Sequence, residues 1–150
     1  ILSINWYWQW TPDTEKMDNW KLWSGRPFII TEFYAKGMDS GMGNNSGAGW
    51  VVKTQRDRGY FYQNFTLGLL EHPSCVGWHW HRYMDNDPAA KQDPSNVDSN
   101  KGIVTSRYIR HEDLLSEMAI MNATVHSLRE RMFLAKPHAE STDSDPPSVR

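Results

Sequence analysis

The sequence predicts an α/β protein with a parallel sheet, because three βα units follow one another along the chain. Hydrophobic runs at residues 2–8, 26–32 and 75–80 have the composition of strands that are buried on both faces. A segment typical of a helix follows each run, as parallel strands require. The long loops come after strands and the short ones after helices. This asymmetry indicates a (β/α)8 TIM barrel, whose site lies at the carboxyl ends of the strands.

The length of the chain limits how much of such a barrel it can contain. A complete barrel needs about 250 residues, whereas this chain has 150 residues. It also begins inside the strand-like run Ile1 to Trp8, without an initiator Met. We therefore expect residues 1–136 to be a portion of a larger barrel and residues 137–150, rich in Ser, Asp and Pro, to be a disordered tail. A doubly wound sheet fits the same order of elements, but no glycine-rich phosphate turn follows a strand.

The helices are predicted from their caps and from their hydrophobic spacing. The first opens at Asp13 or Thr14 and ends at Ser24-Gly25. The second spans about residues 54–71. The last repeats hydrophobic residues on one face at four- and three-residue steps: Leu114, Met118, Met121, Val125, Leu128 and Met132. The glycine-rich segment 37–49 has no such periodicity and is predicted to be a loop.

Composition excludes several classes of function. The net charge is −2 and no basic patch accumulates, which gives no sign of a nucleic-acid partner or of binding to anionic membranes. Cys75 is the single cysteine, so the chain has no internal disulfide framework and no Cys-based zinc site. No transmembrane segment or signal peptide is visible, and no cofactor is predicted. Eight Trp residues, several at predicted strand ends, suit flat sugar faces.

Glu32 is the strongest candidate for a functional residue. It ends the buried strand that begins Pro27-Phe28-Ile29, where a barrel points side chains into its mouth. Burying a lone carboxylate is costly, so a Glu at this position favours a chemical role. The alternative is an ion pair at the barrel mouth, with Lys36 or Arg82.

Three segments carry a resemblance to a known family. They are Ser3-Ile4-Asn5-Trp6-Tyr7 with Trp10-Thr11-Pro12-Asp13, then Arg26-Pro27-Phe28-Ile29-Ile30-Thr31-Glu32-Phe33-Tyr34-Ala35-Lys36-Gly37, and Gly77-Trp78-His79-Trp80-His81-Arg82-Tyr83-Met84-Asp85-Asn86-Asp87-Pro88. Together they resemble the last part of a clan A glycoside hydrolase barrel, most like the family-50 β-agarases, which cleave β-1,4 bonds in agarose. The resemblance covers roughly residues 1–135.

The resemblance implies a retaining hydrolase of agarose or a related red-algal galactan, secreted or periplasmic. The three strands would be the sixth, seventh and eighth of the barrel. Glu32 matches the nucleophile, Tyr7 the tyrosine that donates a hydrogen bond to it, and Trp80, or failing that Trp78, the aromatic residue that lines the sugar subsite. The acid/base Glu belongs on the fourth strand, which this chain lacks, so the chain alone should be inactive.

Strand parity supports part of this assignment. Asn5 and Tyr7 share parity, so both can face one side. Glu32 shares parity with Ile30 and Phe28, which predicts that it tops their apolar layer. Trp78 and Trp80 also share parity, so one can stack on a sugar while the other packs. Tyr34 can line the cleft, and His81 can bond sugar hydroxyls.

Two rival functions remain open. A barrel that has lost its acid/base Glu would bind sugars without cleaving them. Alternatively, His79-Trp80-His81, with Asp85 and Asp87 nearby, is the pattern by which some barrel hydrolases hold a metal. Alternation would place both histidines on one face and Trp80 on the other, which conflicts with the sugar interpretation unless a bulge breaks the parity.

Overall fold

The computed structural model describes residues 1–87, 89 and 96–134. In chain order its elements are β1 (Leu2–Asn5), α1 (Thr14–Ser24), β2 (Phe28–Phe33), β3 (Ala35–Gly37), a 3-10 helix (Met38–Ser40), β4 (Trp50–Val52), α2 (Gln55–Leu70), β5 (Cys75–Trp80) and α3 (Glu112–Leu134). The predicted tail, residues 137–150, lies outside the described residues. Within the described ranges, no helix has the length and hydrophobicity needed to cross a membrane.

A parallel three-stranded sheet forms the framework, with the strands in the order β1-β2-β5. The central strand β2 pairs with both neighbours, and the carboxyl ends of all three strands therefore meet at one edge. At this edge Asn5 lies opposite Glu32, and Phe33 lies opposite Trp80. The predicted parallel α/β arrangement is confirmed. The first strand is shorter than predicted, ending at Asn5.

The helices begin and end where their capping residues predict. In α1 the Asp13 side chain accepts a hydrogen bond from the Lys16 amide at 3.1 Å, and Gly25 ends the helix in the left-handed conformation with φ 65°. In α2 Thr54 and Asp57 form a reciprocal capping box. Helix α3 packs along α2, and the predicted apolar face of α3 lies against the core.

A second, smaller sheet was not predicted. Within the segment predicted to be a loop and at its margins, β3 and β4 pair in parallel, with Ala35 opposite Trp50. Each strand has three residues, which is too short for alternating hydrophobicity to be recognised in a sequence. This pair fixes the glycine-rich segment beside the carboxyl end of β2.

The predicted apolar layer beneath Glu32 is wrong. Phe28 and Ile30 are buried in the core shared with the helices, and Phe33 stacks on Phe65 of α2 at 4.6 Å between ring centroids. The register of β2 against β5 shifts between Ile30 and Phe33. This irregularity breaks the alternation of side chains. Glu32 is therefore turned away from the helices although it shares sequence parity with Phe28 and Ile30.

Candidate active site

The Glu32 carboxylate accepts a hydrogen bond from the Tyr7 hydroxyl. The backbone aligns the two residues, since the Trp6 amide donates to the Glu32 carbonyl at 2.8 Å and extends the pairing of β1 with β2 beyond Asn5. The two side chains are distant in sequence and approach each other because parallel strands bring their carboxyl ends together. A donor aimed at a carboxylate stabilises its charged form.

The surroundings of Tyr7 keep its phenol protonated. Burial raises the pKa of Tyr7 well above its usual range, and the hydrogen bond to Glu32 and the negative charge of Glu32 raise that pKa further. The ring of Tyr34 lies edge-on to that of Tyr7, with 5.2 Å between centroids. Tyr7 is thus a donor at every pH near neutrality.

An open pocket of about 420 Å³ contains the Glu32 carboxylate. Its lining residues are Tyr7, Glu32, Tyr34, Gly47, Ala48, His81, Asn96 and Lys101. His81 approaches Glu32 most directly on the β5 side, with Nδ1 at 4.0 Å from Oε1. Among the residues that the structure describes, the pocket therefore combines one carboxylate, two phenols, one imidazole and one lysine amino group.

Lys101 lies in this pocket although sequence reasoning missed it. Its side chain is 1% exposed, and Nζ lies 5.3 Å from the centroid of the Tyr34 ring. The Lys101 carbonyl accepts hydrogen bonds from Trp80 Nε1 at 2.8 Å and from the Arg82 amide at 3.2 Å. Asn96, Gly47 and Lys101 belong to loops without periodicity, so no sequence signal placed them near Glu32.

The proposed ion-pair role of Glu32 does not fit the structure. Lys36 turns toward the glycine-rich segment, where Nζ donates to the carbonyls of Asn44, Ser46 and Gly47 at 3.3, 3.0 and 3.2 Å. Burial lowers the pKa of Lys36. Arg82 donates instead to Asn86 Oδ1 at 3.1 Å. Both cations that the sequence offered as partners are therefore engaged elsewhere.

The structure does not place Trp80 or Trp78 where the resemblance implied. The Trp80 indole packs against Phe33 at 5.6 Å and does not line the pocket. Trp78 packs against the core, and its Nε1 donates to the Tyr62 hydroxyl at 2.9 Å. Both indoles lie on the helix-facing side, where Trp78 is opposite Ile30 and Trp80 is opposite Phe33. Their expected role as sugar platforms is corrected to packing.

Of the other predicted binding residues, two line the pocket and one does not. Tyr34 and His81 line the pocket. Asn5 lies opposite Glu32 but outside the lining, and its Oδ1 accepts a hydrogen bond from the Thr31 hydroxyl at 2.8 Å. His79 is exposed and does not line the pocket that contains His81.

The two acidic residues after β5 accept hydrogen bonds from the segment that follows them in the chain. Asp85 is 3% exposed and accepts hydrogen bonds from the Gly102 amide at 2.7 Å, from Asn100 Nδ2 at 2.9 Å and from the His111 ring at 2.8 Å. Asp87 accepts from the Ser106 hydroxyl at 2.6 Å. In the described part of the chain, no three His, Cys, Asp or Glu side chains form a group that could hold a metal.

Solved structures share the fold of this chain. The chain superposes on BpGH50 with a TM-score of 0.78 and 43% sequence identity, over 87% of this chain. The chain resembles a family-50 glycoside hydrolase. An exo-β-agarase superposes with a TM-score of 0.73 and 26% identity over 85% of this chain. An agarase named AgWH50C, with a TM-score of 0.72 and 22% identity over 85% of this chain, shows the shared fold.

The resemblance to family 50 concerns a part of each of these proteins. The chain spans 26% of BpGH50, 16% of the exo-β-agarase and 19% of AgWH50C. No family model matches the sequence. No curated protein matches it either.

Proposed function

We propose that this chain supplies the nucleophile half of a retaining β-agarase-like glycoside hydrolase. One observation carries the proposal: the Tyr7 hydroxyl donates to the Glu32 carboxylate inside an open pocket at the carboxyl ends of parallel strands. Structural similarity to glycoside hydrolases supports it. In this proposal residues 1–136 provide the sixth, seventh and eighth strands of a (β/α)8 barrel, the clan A architecture.

The chemistry requires a second carboxyl group. Glu32 attacks the anomeric carbon while an acid protonates the leaving oxygen, and the glycosidic C–O bond breaks. The same acid then acts as a base toward the water that hydrolyses the glycosyl-enzyme. These two carboxyl groups lie about 5 to 5.5 Å apart in retaining enzymes. Among the described residues that line the pocket, Glu32 is the sole carboxylate, so we assign the acid/base Glu to a strand outside this chain.

The substrate class follows from the relatives and from the pocket. We infer β-1,4-galactosidic bonds of agarose or a related galactan as the target, because two of the similar structures are agarases by name. Tyr34 and His81 line the pocket with groups that can bond sugar hydroxyls. From the resemblance to family-50 hydrolases alone, we propose that the enzyme is secreted or periplasmic.

A chimeric barrel tests the proposal. This chain replaces the matching portion of BpGH50, which restores the remaining barrel units around Glu32. The chimera should release reducing sugar from agarose, and Glu32→Gln should abolish release while leaving the melting temperature and oligosaccharide binding unchanged. Asp57→Asn, in the cap of α2, is the matched control. Full activity of the Glu32→Gln chimera would refute the nucleophile assignment, and binding without turnover in the Glu32 chimera would favour a non-catalytic sugar-binding barrel.

A further inference from the structure

Two exposed tryptophans contact each other, and each is close in sequence to residues that line the pocket. The indoles of Trp8 and Trp50 meet edge-to-face, with 5.4 Å between centroids and 88° between planes. They are 54% and 39% exposed, although the sequence separates them widely. A contiguous patch of exposed aromatic surface commonly marks a site that contacts a ligand or a partner.

The backbone ties both indoles to residues of the site. Trp8 directly follows Tyr7, the donor to Glu32, and adopts a positive φ of 63°. This conformation is unfavourable for a bulky side chain and is commonly found where a site requires it. Trp50 is held opposite Ala35 by the pairing of β3 with β4, beside Tyr34 of the pocket.

Gly49, which precedes Trp50, packs closely against Tyr34 of the pocket. It adopts a φ of 85°, and a Cβ at this position would lie 2.8 Å from the Tyr34 carbonyl and 3.0 Å from its ring. Only glycine permits this approach. The Tyr34 ring in turn contacts the Tyr7 ring. The pair Trp8–Trp50 is therefore connected to the pair Tyr7–Tyr34 in two ways: Trp8 is bonded to Tyr7, and Gly49, which precedes Trp50, approaches Tyr34 closely.

We propose that Trp8 and Trp50 form a sugar-stacking subsite for the polysaccharide chain as it leaves the Glu32 pocket. The apolar face of a pyranose ring stacks on an indole face, and the perpendicular arrangement leaves open indole faces on both residues. The occupant is a galactan oligosaccharide longer than the pocket holds, because Trp8 directly follows Tyr7 of the pocket lining, Trp50 lies two residues after Ala48 of the same lining, and neither indole carries a charge. This inference rests on the proposed function for the identity of the sugar.

The contrast with the other tryptophans supports this assignment. Trp78 and Trp80 pack in or against the core and donate their indole N–H groups inside the protein. Trp23 is 75% exposed, but it lines an apolar groove beside Leu2 rather than the pocket. The subsite role that the sequence assigned to the tryptophans of β5 thus passes to the pair at the end of β1 and the start of β4.

Oligosaccharide binding tests the subsite directly. Trp8→Ala, Trp50→Ala and the control Trp23→Ala are made in the Glu32→Gln form of the isolated chain and of the chimeric barrel, which removes turnover from the measurement. Affinities for agarose oligosaccharides of increasing length are measured by titration calorimetry, with tryptophan fluorescence as the second readout. Long oligosaccharides should bind about tenfold more weakly to the Trp8 and Trp50 variants, while a disaccharide binds all variants alike.

The outcomes separate this proposal from the proposed function. Three results would overturn the subsite. The Trp23→Ala control could lose as much oligosaccharide affinity as the other two variants, or the Trp8→Ala and Trp50→Ala variants could keep their affinity. The third is that neither the isolated chain nor the chimeric barrel binds oligosaccharide. If oligosaccharide still quenches the tryptophan fluorescence of a chain in which both Trp8 and Trp50 are replaced by Ala, that result would overturn the subsite as well. Turnover by the Glu32→Gln chimera would refute the nucleophile and leave the binding result intact.

Discussion

The Tyr7 hydroxyl donates a hydrogen bond to Oε2 of Glu32, which joins the ends of two neighbouring parallel strands. The bond brings a protonated donor to a carboxylate that is one-third exposed and open to the pocket. A donor at this point orients the carboxylate and stabilises its charge before a substrate arrives.

Tyr7→Phe should lower the turnover number of the chimeric barrel by about tenfold to a hundredfold, because a hydrogen bond to a charged group contributes about 1.5 to 3 kcal/mol. The substitution keeps the ring and its contact with Tyr34. Tyr60→Phe, on the exposed side of α2, is the control. Steady-state kinetics on agarose measure both variants, and an unchanged turnover number for Tyr7→Phe would contradict the role.

The raised pKa of Tyr7 predicts its behaviour in alkali. Burial, the hydrogen bond to Glu32 and the charge of Glu32 hold the phenol protonated, so its pKa in the folded state exceeds the ordinary value of about 10. Its contribution to stability is fully present below about pH 10 and is lost as the pH rises toward the folded pKa. Tyrosinate absorbance up to about pH 12 should therefore be the same in wild type and Tyr7→Phe, provided the chain stays folded. A smaller absorbance step in Tyr7→Phe near pH 10 would disprove the shift.

Lys36→Met should loosen the glycine-rich segment. Lys36 Nζ donates to the carbonyls of Asn44, Ser46 and Gly47, and methionine leaves all three without this partner. We expect a loss of about 2 to 4 kcal/mol in the free energy of unfolding and faster amide exchange across residues 38–49. Hydrogen-exchange mass spectrometry compares it with Lys53→Met, an exposed lysine. Equal exchange in the two variants would show that Lys36 does not hold the segment.

Trp80→Ala should act as a core substitution. Its indole packs against Phe33, Phe61 and Tyr62, so truncation should cost about 3 to 5 kcal/mol of stability. Trp23→Ala on the exposed face of α1 should change stability by less than about 0.5 kcal/mol. Urea denaturation measures both. A stable Trp80→Ala chain that has lost oligosaccharide affinity would restore the sugar-platform interpretation of Trp80.

The sequence predicted those features that depend on local signals. The cap at Asp13, the stop at Gly25 and the apolar face of α3 follow from residue types at fixed spacings, and the structure confirms them. The parallel order of the three strands followed from the crossovers between them. The position of Glu32 at a strand end followed from the same topology, whereas the pairing of Tyr7 with Glu32 followed from the family resemblance and from strand parity.

The features that the sequence could not predict depend on irregular backbone. The register shift in β2 places Glu32 on the opposite side from Phe28 and Ile30, and no residue type in the sequence indicates such a shift. Lys101 reaches the pocket from a loop whose conformation rests on Asp85, through the Gly102 amide and Asn100. Contacts of this kind join residues without periodicity and become visible only in three dimensions.

Trapping the covalent intermediate tests the central claim most directly. A 2-deoxy-2-fluoro galactoside with a reactive leaving group is incubated with the chimeric barrel, and the labelled peptide is identified by mass spectrometry. The account predicts one glycosyl adduct, on Glu32, that is absent from the Glu32→Gln chimera. An adduct on another residue, or an active chimera that forms no adduct on Glu32, would contradict it.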